Sequence, residues 1–559
     1  MQRAGTVGHW DRIRDMERSL ARLEDRVFDV LVVGAGIYGA AIAWDAASRG
    51  LSVAIVDRGD IGGATSSNSL KTVHGGLRSL QRAAFRDMRE FIRERRVLGR
   101  IAPHLVHPLP FIIPTHRHLL RNRPLMRMVM AVNDAVAHDR NEGIDPARRI
   151  PRGGVVSRDE CLRRIPGLDP AGVTGGAVWY DCQMYSADRL TLAFVTSACR
   201  AGAEAANYVE AARLLVDRQR VVGIRARDVL SDDVFDIRSR IVVNAAGPWA
   251  WGLLGDWVPG ARSPRRPPVF SKAMNLVIDT EPGTHAAGSL LDSRFLLLVP
   301  WRGVTMAGTS HDSWLGSPDG CVVTQADVRA FQAEVARAFP GAGVESARVR
   351  LVHHGLLPAS AGTDGHAELL KKSVVIDHHR DGVDGLVTVV GVRYTTARAT
   401  GEHVVDGIIA RLGRPARPCR TQWMSLAGGE IDDITAFEAR SRVSGPHNVD
   451  DATLVRLGRC YGSDMPAVLK LLEAEPALRA PLSPSCGVTH AEIVFAVRHE
   501  MAMRLTDALM RRTDAGSAGH PGPEAASSAA STMAAELRWP PARVSEELAA
   551  VDRWYQIPE

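Results

Sequence analysis

The sequence has 559 residues, of which 45% are hydrophobic and 24% are charged. This ordinary globular composition excludes a disordered, collagen-like or coiled-coil chain. The net charge of +6 comes from 69 lysines and arginines against 63 acidic residues, without a nucleic-acid-binding motif, so we expect no nucleic acid partner. No apolar run approaches the roughly 20 residues that span a bilayer.

The cysteines and the N-terminal residues indicate a reducing location. Seven cysteines are scattered without a C-x-x-C pair, which argues against a disulfide framework or structural zinc, and we predict no metal site. Residues 1–27 are charged, include a predicted helix near 12–26, and lack the apolar segment of a secretory signal. We therefore expect a cytoplasmic protein with an N-terminal extension over residues 1–27.

A dinucleotide-binding pattern follows this extension. Residues 28–33 form an apolar run, typical of a strand buried in a parallel sheet, and an alanine-rich helix is predicted after Gly34, Gly36 and Gly39. The first glycine makes a tight turn, the second lets the backbone approach a pyrophosphate, and the third allows close helix packing. Asp57, at the end of the next predicted strand, would accept hydrogen bonds from a ribose. The spacing predicts a dinucleotide but does not separate NAD from FAD.

The next segment, residues 64–78, carries a dense set of polar groups. It contains hydroxyls, a lysine, a histidine and a glycine pair, and such a loop can line a second phosphate and a planar ring. A polar surface loop is the alternative interpretation. The candidate cofactor contacts in this segment are Ser66, Ser67, Ser69, His74, Gly75 and Gly76.

Later elements alternate between strand and helix, which predicts a partly parallel α/β sheet. Predicted strands cover residues 221–224, 241–243, 374–376 and 386–390. The pattern becomes helical after about residue 419, and residues 513–531, rich in Ala, Ser, Gly and Pro, are predicted to be a flexible linker.

Several motifs together resemble the FAD-dependent glycerol-3-phosphate dehydrogenases. Residues 64–78 resemble the family's T-S-S-x-S-x-K-x-x-H-G-G-L-R signature, and residues 241–249 resemble its V-N-A-x-G-P-W motif. Further similar segments are 299–301 with 308–310, 391–398, 496–501 and 507–513. The resemblance covers about residues 28–513, in order.

The resemblance implies an α/β protein with three parts. These are a discontinuous Rossmann-like FAD-binding domain within residues 28–418 (about 28–100, 186–262 and 350–418), an inserted α+β substrate domain (about 101–185 and 263–349), and a C-terminal helical domain over 419–559.

The resemblance also implies a cofactor and a reaction. Non-covalent FAD would accept hydride at N5 from the C2 hydroxyl of sn-glycerol 3-phosphate, giving dihydroxyacetone phosphate, and electrons would pass to a quinone or, in oxidase relatives, to dioxygen. A homodimer is a further expectation. The implied FAD contacts are Gly34, Gly36, Gly39, Asp57, Ser66, Ser67, Ser69, His74, Gly75, Gly76, Asn244, Gly247, Gly391 and Thr395.

The substrate pocket departs from the family pattern at several positions. Where the family has tyrosine, histidine, aspartate, arginine and lysine, this sequence has Ser79, Asn275, His311, Leu357 and Arg393. Neighbouring His353 and His354 would replace lost polarity or be structural imidazoles. The candidate catalytic residues are Arg78, His74, Arg393 and His354.

These departures leave the activity open among three interpretations. The chain oxidises glycerol 3-phosphate, or it oxidises another phosphorylated or polar alcohol or an amine, or it is a catalytically silent flavin-binding protein. His74 is either the proton acceptor or a flavin neighbour.

Basic and apolar residues over 116–130 suggest an interfacial segment. Cations next to long apolar side chains favour contact with anionic lipid, which would place the protein peripherally on the inner face of the cell membrane. A solvated helix followed by a core helix is the alternative.

Overall fold

The computed structural model describes residues 16–118, 122–165, 167–255, 269–291, 294–361, 367–446 and 449–559. Most of the predicted N-terminal extension, part of the predicted membrane segment, and the predicted domain boundary near residue 262 lie outside these ranges. Among the described residues, no helix is both long and apolar enough to cross a bilayer.

The strands are β1 (Val27–Val33), β2 (Val53–Val56), β3 (Thr72–Val73), β4 (Val106–His116), β5 (Gly154–Val156), β6 (Val173–Met184), β7 (Glu204–Ala206), β8 (Val209–Asp217), β9 (Arg220–Asp228), β10 (Val234–Asn244), β11 (Val269–Ile278), β12 (Ala286–Leu291), β13 (Arg294–Trp301), β14 (Val304–Trp314), β15 (Val349–Ala361), β16 (Ala367–Leu369), β17 (Val374–Asp377), β18 (Leu386–Val390), β19 (Pro481–Ser483) and β20 (Cys486–Thr489).

The helices are α1 (Leu20–Glu24), α2 (Ile37–Ser48), α3 (Phe85–Ile101), α4 (Arg123–Val136), α5 (Arg158–Arg164), α6 (Ala187–Arg200), α7 (Ala250–Leu253), α8 (Gln325–Ala338), α9 (Ala397–Leu412), α10 (Ile434–Val443), α11 (Asp451–Tyr461), α12 (Met465–Ala474), α13 (His490–Glu500), α14 (Pro523–Leu537) and α15 (Pro541–Tyr555), with a π-helical turn over Asp507–Arg512.

The first sheet is the predicted Rossmann-like sheet. Its order is β17-β18-β10-β1-β2-β7, and the contacts among β18, β10, β1, β2 and β7 are parallel. Alternate residues of β1 enter two separate cores: Val30 and Val32 pack with α2, whereas Leu31 and Val33 pack on the opposite face. Burial on both faces explains why β1 is apolar without alternation.

The second sheet is largely antiparallel and has the order β16-β15-β11-β14-β13-β12-β4-β6-β3, with β5 beside β6. One prediction is corrected here. The sequence predicts that residues 350–361 belong to the FAD-binding part, but β15 pairs with β11, so they belong to the second sheet. The cause is that membership of a strand in a sheet depends on its partner and not on its own composition.

The C-terminal helices correct a second prediction. Residues 513–531 are not a flexible linker throughout, because α14 begins at Pro523. Its small side chains Ala525, Ala526, Ala529 and Ala530 are buried in a core shared with α13 and β19. Alanine and serine make a segment look linker-like, yet they also let a helix approach its neighbours closely.

A buried ion cluster joins the C-terminal domain to the first sheet. Arg512 donates two hydrogen bonds of 2.7 Å to the carboxylate of Asp60, and Arg511 donates a third of 2.5 Å. Asp507 accepts from both Arg511 and Tyr208. Burial alone would raise the pKa of Asp60, but the charges of Arg512 and Arg511 outweigh burial and hold that pKa far below its usual value. The carboxylate is therefore ionised and fully paired.

Replacing Asp60 by alanine should destabilise the protein strongly. The change leaves Arg511 and Arg512 buried without their carboxylate, and breaking a buried pair costs about 3–5 kcal/mol. The matched control is Asp319→Ala, which removes the exposed partner of Arg58 and should cost at most about 1 kcal/mol. Thermal unfolding followed by circular dichroism, with saturating FAD and one scan rate, compares both with the parent. Equal shifts in Tm would contradict this account.

Candidate active site

The glycine turn after β1 has the geometry of a dinucleotide site. Gly34 has φ +102°, and a Cβ there would lie 2.6 Å from the carbonyl oxygen of Ala245. A Cβ on Gly39 would lie 1.9 Å from the carbonyl oxygen of Gly34, whereas one on Gly36 would meet only the Ser66 hydroxyl, at 3.1 Å. Gly34 and Gly39 are therefore required by packing, while Gly36 keeps space free at the start of α2.

Asp57 supports this turn from the end of β2. Its carboxylate accepts hydrogen bonds from the amides of Ala35, at 2.7 Å, and Gly59, at 2.9 Å. Burial raises the pKa of Asp57, and the two amide bonds oppose that shift. Each carboxylate oxygen has further lone pairs, so the same group can still accept from a ribose.

The three predicted serines have different roles. The Ser66 hydroxyl accepts from the amide of Ile37 at 3.0 Å and so lies at the N-terminus of α2, where a pyrophosphate is expected. The Ser67 hydroxyl donates to the carbonyl of Ala64 in the same loop, and the Ser69 hydroxyl accepts from the amide of Lys71. Ser67 and Ser69 shape the loop in this structure.

The glycine pair lies against helix α3. A Cβ on Gly75 would be 2.5 Å from the guanidinium of Arg95, and one on Gly76 would be 2.5 Å from the ring of Phe91. Gly75 also donates to Asp181, which pairs with Arg95. Asp181 cannot be recognised from the sequence, because it comes from β6, more than 100 residues away, and no local pattern marks it.

His74 directly precedes the glycine pair and lies close enough to two candidate cations to feel their charges. Its amide donates to the Thr395 hydroxyl at 3.3 Å, and its ring centroid is 4.8 Å from that of Phe91. Burial lowers the pKa of His74 to about 4, and the charges of Arg393 and Arg78 act in the same direction. The imidazole is neutral at physiological pH and can accept a proton.

The two predicted substrate cations lie near this histidine. Arg393 stacks on Phe91, at 5.0 Å from the ring centroid, while Arg78 is more exposed and lies 5.9 Å from the ring centroid of Phe295. Arg78 also contributes to the low pKa of His311, about 4, which burial lowers most. The structure therefore brings together His74, Arg78 and Arg393, three of the four candidate catalytic residues.

His354, the fourth candidate, is on the wrong side of the sheet. The register pairs His353 with Asn275 and His354 with Met274. Met274 belongs to the core beneath α8, and burial and the nearby charge of Lys272 lower the pKa of His354. The prediction that His354 is catalytic is thus wrong, because adjacent residues of a strand point to opposite faces.

His353 instead faces the polar loop of residues 64–78. Its Nδ1 lies 3.0 Å from Oδ1 of Asn68, whose amide nitrogen donates to Ala64. Because Oδ1 of Asn68 can only accept a hydrogen bond, the proton of the neutral His353 ring is on Nδ1. Of the two neighbouring histidines, His353 is therefore the one that faces the site, and only the strand register distinguishes it from His354.

The altered pocket positions cluster on this same face. Asn275 accepts from the Thr309 hydroxyl at 2.7 Å and donates to the backbone of Asn68. Leu357 lies opposite Ser271, whose hydroxyl is 3.1 Å from Nδ1 of His311. The departures at 275, 311 and 357 therefore change one connected surface.

The remaining predicted cofactor residues lie in two turns. The fully buried Asn244 holds the turn after β10 through a 2.8 Å bond to the carbonyl of Ala250, and Gly247, with φ +57°, leaves open space beside it. A Cβ on Gly391 would be 1.9 Å from the ring of Tyr38, whose hydroxyl donates to the carbonyl of Arg393 at 2.7 Å. Tyr38 was not predicted, because its hydrogen-bond partners are more than 330 residues away.

These observations fit FAD. A dinucleotide is suited by the uncrowded Gly36, the open turn at Gly247, the amides at the N-terminus of α2 and the carboxylate of Asp57. The loop predicted to line the flavin ring carries the neutral His74 and Arg78, with Arg393 close by. Fold and site together define an oxidoreductase of the flavin-binding class.

Comparisons with known proteins agree with this class. The FAD dependent oxidoreductase family matches residues 29–407, and the C-terminal domain of alpha-glycerophosphate oxidase matches residues 419–544. A glycerol-3-phosphate dehydrogenase of Synechocystis is 31% identical over 509 residues, covering 89% of this chain and 90% of that protein. An alpha-glycerophosphate oxidase of Streptococcus pyogenes is 27% identical and covers 89% of each.

A solved structure shows the same fold. The glycerol-3-phosphate dehydrogenase from Bacillus halodurans, complexed with FAD, has a TM-score of 0.76 and 23% identity over 96% of both chains. The chain belongs to the FAD-dependent oxidoreductase family, and FAD is its cofactor.

Replacing Gly36 by leucine should abolish FAD binding without unfolding the protein. The side chain would fill the space at the start of α2, where only the Ser66 hydroxyl is close. Purified parent protein should be yellow and should release all its flavin on denaturation, because the binding is non-covalent. Gly252→Ala, where no atom lies within 4 Å of the added Cβ, is the control and should stay yellow. Full flavin content in Gly36→Leu would refute this role.

Proposed function

We propose that this enzyme oxidises the C2 hydroxyl of sn-glycerol 3-phosphate, or of a closely similar alcohol, to the ketone. The observation that carries the proposal is the grouping of neutral His74 with the cations Arg78 and Arg393 beside the glycine pair. The curated relatives, named as glycerol-3-phosphate dehydrogenases and glycerophosphate oxidases, support the same substrate class.

Each of these residues has a defined task in the proposed reaction. Arg78 and Arg393 bind the anionic group, since a guanidinium offers paired donors to phosphate oxygens. His74 accepts the hydroxyl proton, since burial keeps its ring neutral before substrate binds. FAD, when bound, supplies the hydride acceptor.

Leu357 is the main argument for a shifted substrate preference. An arginine stands there in the family, and one charge-assisted hydrogen bond contributes about 1.5–3 kcal/mol, or roughly a tenfold to a hundredfold in affinity. Arg393 compensates only in part, because one of its guanidinium nitrogens already donates to the carbonyl of Lys371. The second candidate function, oxidation of another hydroxyl or amine substrate, rests on this incomplete compensation.

The electron acceptor of the proposed reaction is a quinone or another oxidant. Relatives named as dehydrogenases and as oxidases both match the chain, so their names do not separate a quinone from dioxygen. Oxygen uptake during turnover, measured with and without a soluble quinone, distinguishes the two acceptors.

Peripheral membrane contact through α4 is part of the same proposal. Met128 and Val132 lie one turn apart with 58% and 38% of their surfaces exposed, and Arg127 beside them is exposed as well. An exposed apolar stripe next to a cation suits an anionic lipid surface. This contact would place the enzyme on the cytoplasmic face of the cell membrane.

Introducing arginine at position 357 should improve the use of glycerol 3-phosphate. Anaerobic bleaching of the flavin by glycerol 3-phosphate should be slow in the parent, and Leu357→Arg should lower the concentration needed by about tenfold to a hundredfold. The control Leu315→Arg adds the same charge at a position that is 85% exposed and should change nothing.

A panel of unphosphorylated alcohols and amines completes this experiment. Rapid bleaching of the parent by glycerol 3-phosphate would overturn the shifted preference and restore the plain family substrate. Bleaching by an amine alone would instead favour the second candidate function, and no bleaching by any compound would indicate a silent flavin protein.

Replacing Met128 by aspartate should weaken binding to vesicles that contain anionic lipid. A buried charge in the interface is costly, and the remaining attraction should fall with salt because the Debye length is about 10 Å at 0.1 M. The matched control is Val443→Asp, which changes a strongly exposed apolar residue outside α4. Co-sedimentation measures both, and absence of parent binding at low salt would exclude this contact.

A further inference from the structure

A buried carboxylate lies next to the turn that follows His74. Asp181 on β6 is only 4% exposed and lies on the same face of its strand as Trp179, which belongs to an apolar core. The register pairs Val73 with Cys182, and this brings the next two residues, His74 and Asp181, beside each other. A carboxylate loses its hydration in such a place, so its presence there calls for a physical reason.

Three donors satisfy this carboxylate. The Gly75 amide donates to Oδ1 at 2.5 Å, Arg95 donates to the same oxygen, and the Trp179 indole donates to Oδ2 at 3.0 Å. The bond from Gly75 fixes the backbone directly after His74. The turn that carries the His74 ring is therefore anchored to Asp181.

These hydrogen bonds do not by themselves require a charge at position 181. The oxygen of an uncharged amide would also accept from Gly75, and Arg95, which is 4% exposed, is the ion partner. Replacing a buried ion pair by uncharged residues of similar volume is often neutral for stability. A buried charge beside a candidate proton acceptor is instead typical of a functional site.

The charges near His74 explain what the carboxylate does. They are one anion, Asp181, and three cations, Arg78, Arg95 and Arg393. Burial lowers the pKa of His74 most, and the three arginines lower it further, whereas Asp181 raises it and has the largest effect among the four charges. The neighbouring Cys182 thiol stays neutral, because burial raises its pKa to about 12.

The carboxylate acts on the proton transfer and not on substrate binding. A base gains a positive charge as it accepts a proton, so fixed charges around it decide how strong a base it is. Three arginines oppose the imidazolium that forms on His74, and Asp181 offsets them. Its oxygens are buried and already bonded to three donors, so it does not compete with substrate for the arginines of the pocket.

We propose that Asp181 is a positioning residue of this site, which anchors the turn after His74 through Gly75 and, by its negative charge, makes His74 a stronger proton acceptor. Arg95 balances part of this charge and thereby limits the effect. The inference rests on the role proposed above for His74, but the effect on the protonation of that ring is measurable without any substrate.

NMR of the FAD-loaded protein with ¹³Cε1-labelled histidine measures this protonation, and the His74 signal is identified by its loss in His74→Asn. At about pH 4.5, near the pKa of about 4, part of the parent rings are protonated. Asp181→Asn should lower that fraction and Arg95→Gln should raise it, although both variants break the same ion pair. Trp179→Phe, which removes one hydrogen bond but no charge, should leave it unchanged.

The opposite signs separate a charge effect from structural damage. Loosening of the site would expose the ring to water and raise the protonated fraction in both variants. Shifts of the same sign in Asp181→Asn and Arg95→Gln, or no shift in either, would therefore overturn the proposal.

Anaerobic bleaching of the flavin by glycerol 3-phosphate, or by the fastest compound of the panel above, tests the consequence for the reaction. Asp181→Asn should lower the limiting rate at least about tenfold and change the half-saturating concentration by less than about twofold, because the cations that bind substrate are kept. Arg95→Gln should not lower the limiting rate. The control Asp139→Asn removes a partner of Arg89 and Arg96, on the same helix as Arg95, and should change neither quantity.

Equal losses of rate in Asp181→Asn and Arg95→Gln would contradict a role of the charge in catalysis. Failure of the proposed function has a different signature. If His74→Asn bleaches at the parent rate while the order of the NMR fractions holds, His74 is not the proton acceptor, yet Asp181 still controls its protonation.

Discussion

The buried pairing of Asp60 with Arg511 and Arg512 is the interaction on which the arrangement of this protein depends. Unpaired, such charges would cost several kcal/mol each in the interior, so the loop after β2 and the π-helical turn fold only against one another. The same loop carries Asp57, whose carboxylate holds the glycine turn at Ala35. The C-terminal domain is consequently a structural partner of the nucleotide site and not an appendage.

The nucleotide-binding half of the site could be predicted from the sequence because the motifs that mark it are local. Gly34, Gly36 and Gly39 fall within one short strand, turn and helix, so their spacing is visible in the sequence, although the closest contacts at Gly34 and Gly36 come from Ala245 and Ser66. The order of strand, helix and acid therefore predicted a dinucleotide-binding α/β fold, whereas FAD was predicted from the family resemblance. Tyr38 and Asp181 escaped prediction, since their importance comes from residues far away along the chain.

The substrate-binding half was harder to predict because the side chains that face it depend on strand register. The register of β15 against β11 decides whether His353 or His354 faces the site. A shift of that register by one residue would move each side chain to the opposite face of the sheet. Composition misled in a similar way at residues 513–531, where alanines that suggested a linker instead pack α14 tightly into a core. Local patterns specify elements well, but they leave undetermined which surfaces those elements share.

Residues that contact one another around the nucleotide site are far apart in the sequence, and this separation determines when the site can form during synthesis. Tyr38 bonds to a residue 355 positions later, and Asp60 to one 452 positions later. A ribosome that adds about 5 to 20 residues per second needs roughly 20 to 90 s to make the longer stretch. Throughout that time the first strand, turn and helix lack the partners that complete them. FAD therefore meets a finished binding site only after the last domain has been synthesised, which makes cofactor loading a post-translational step in the life of this protein.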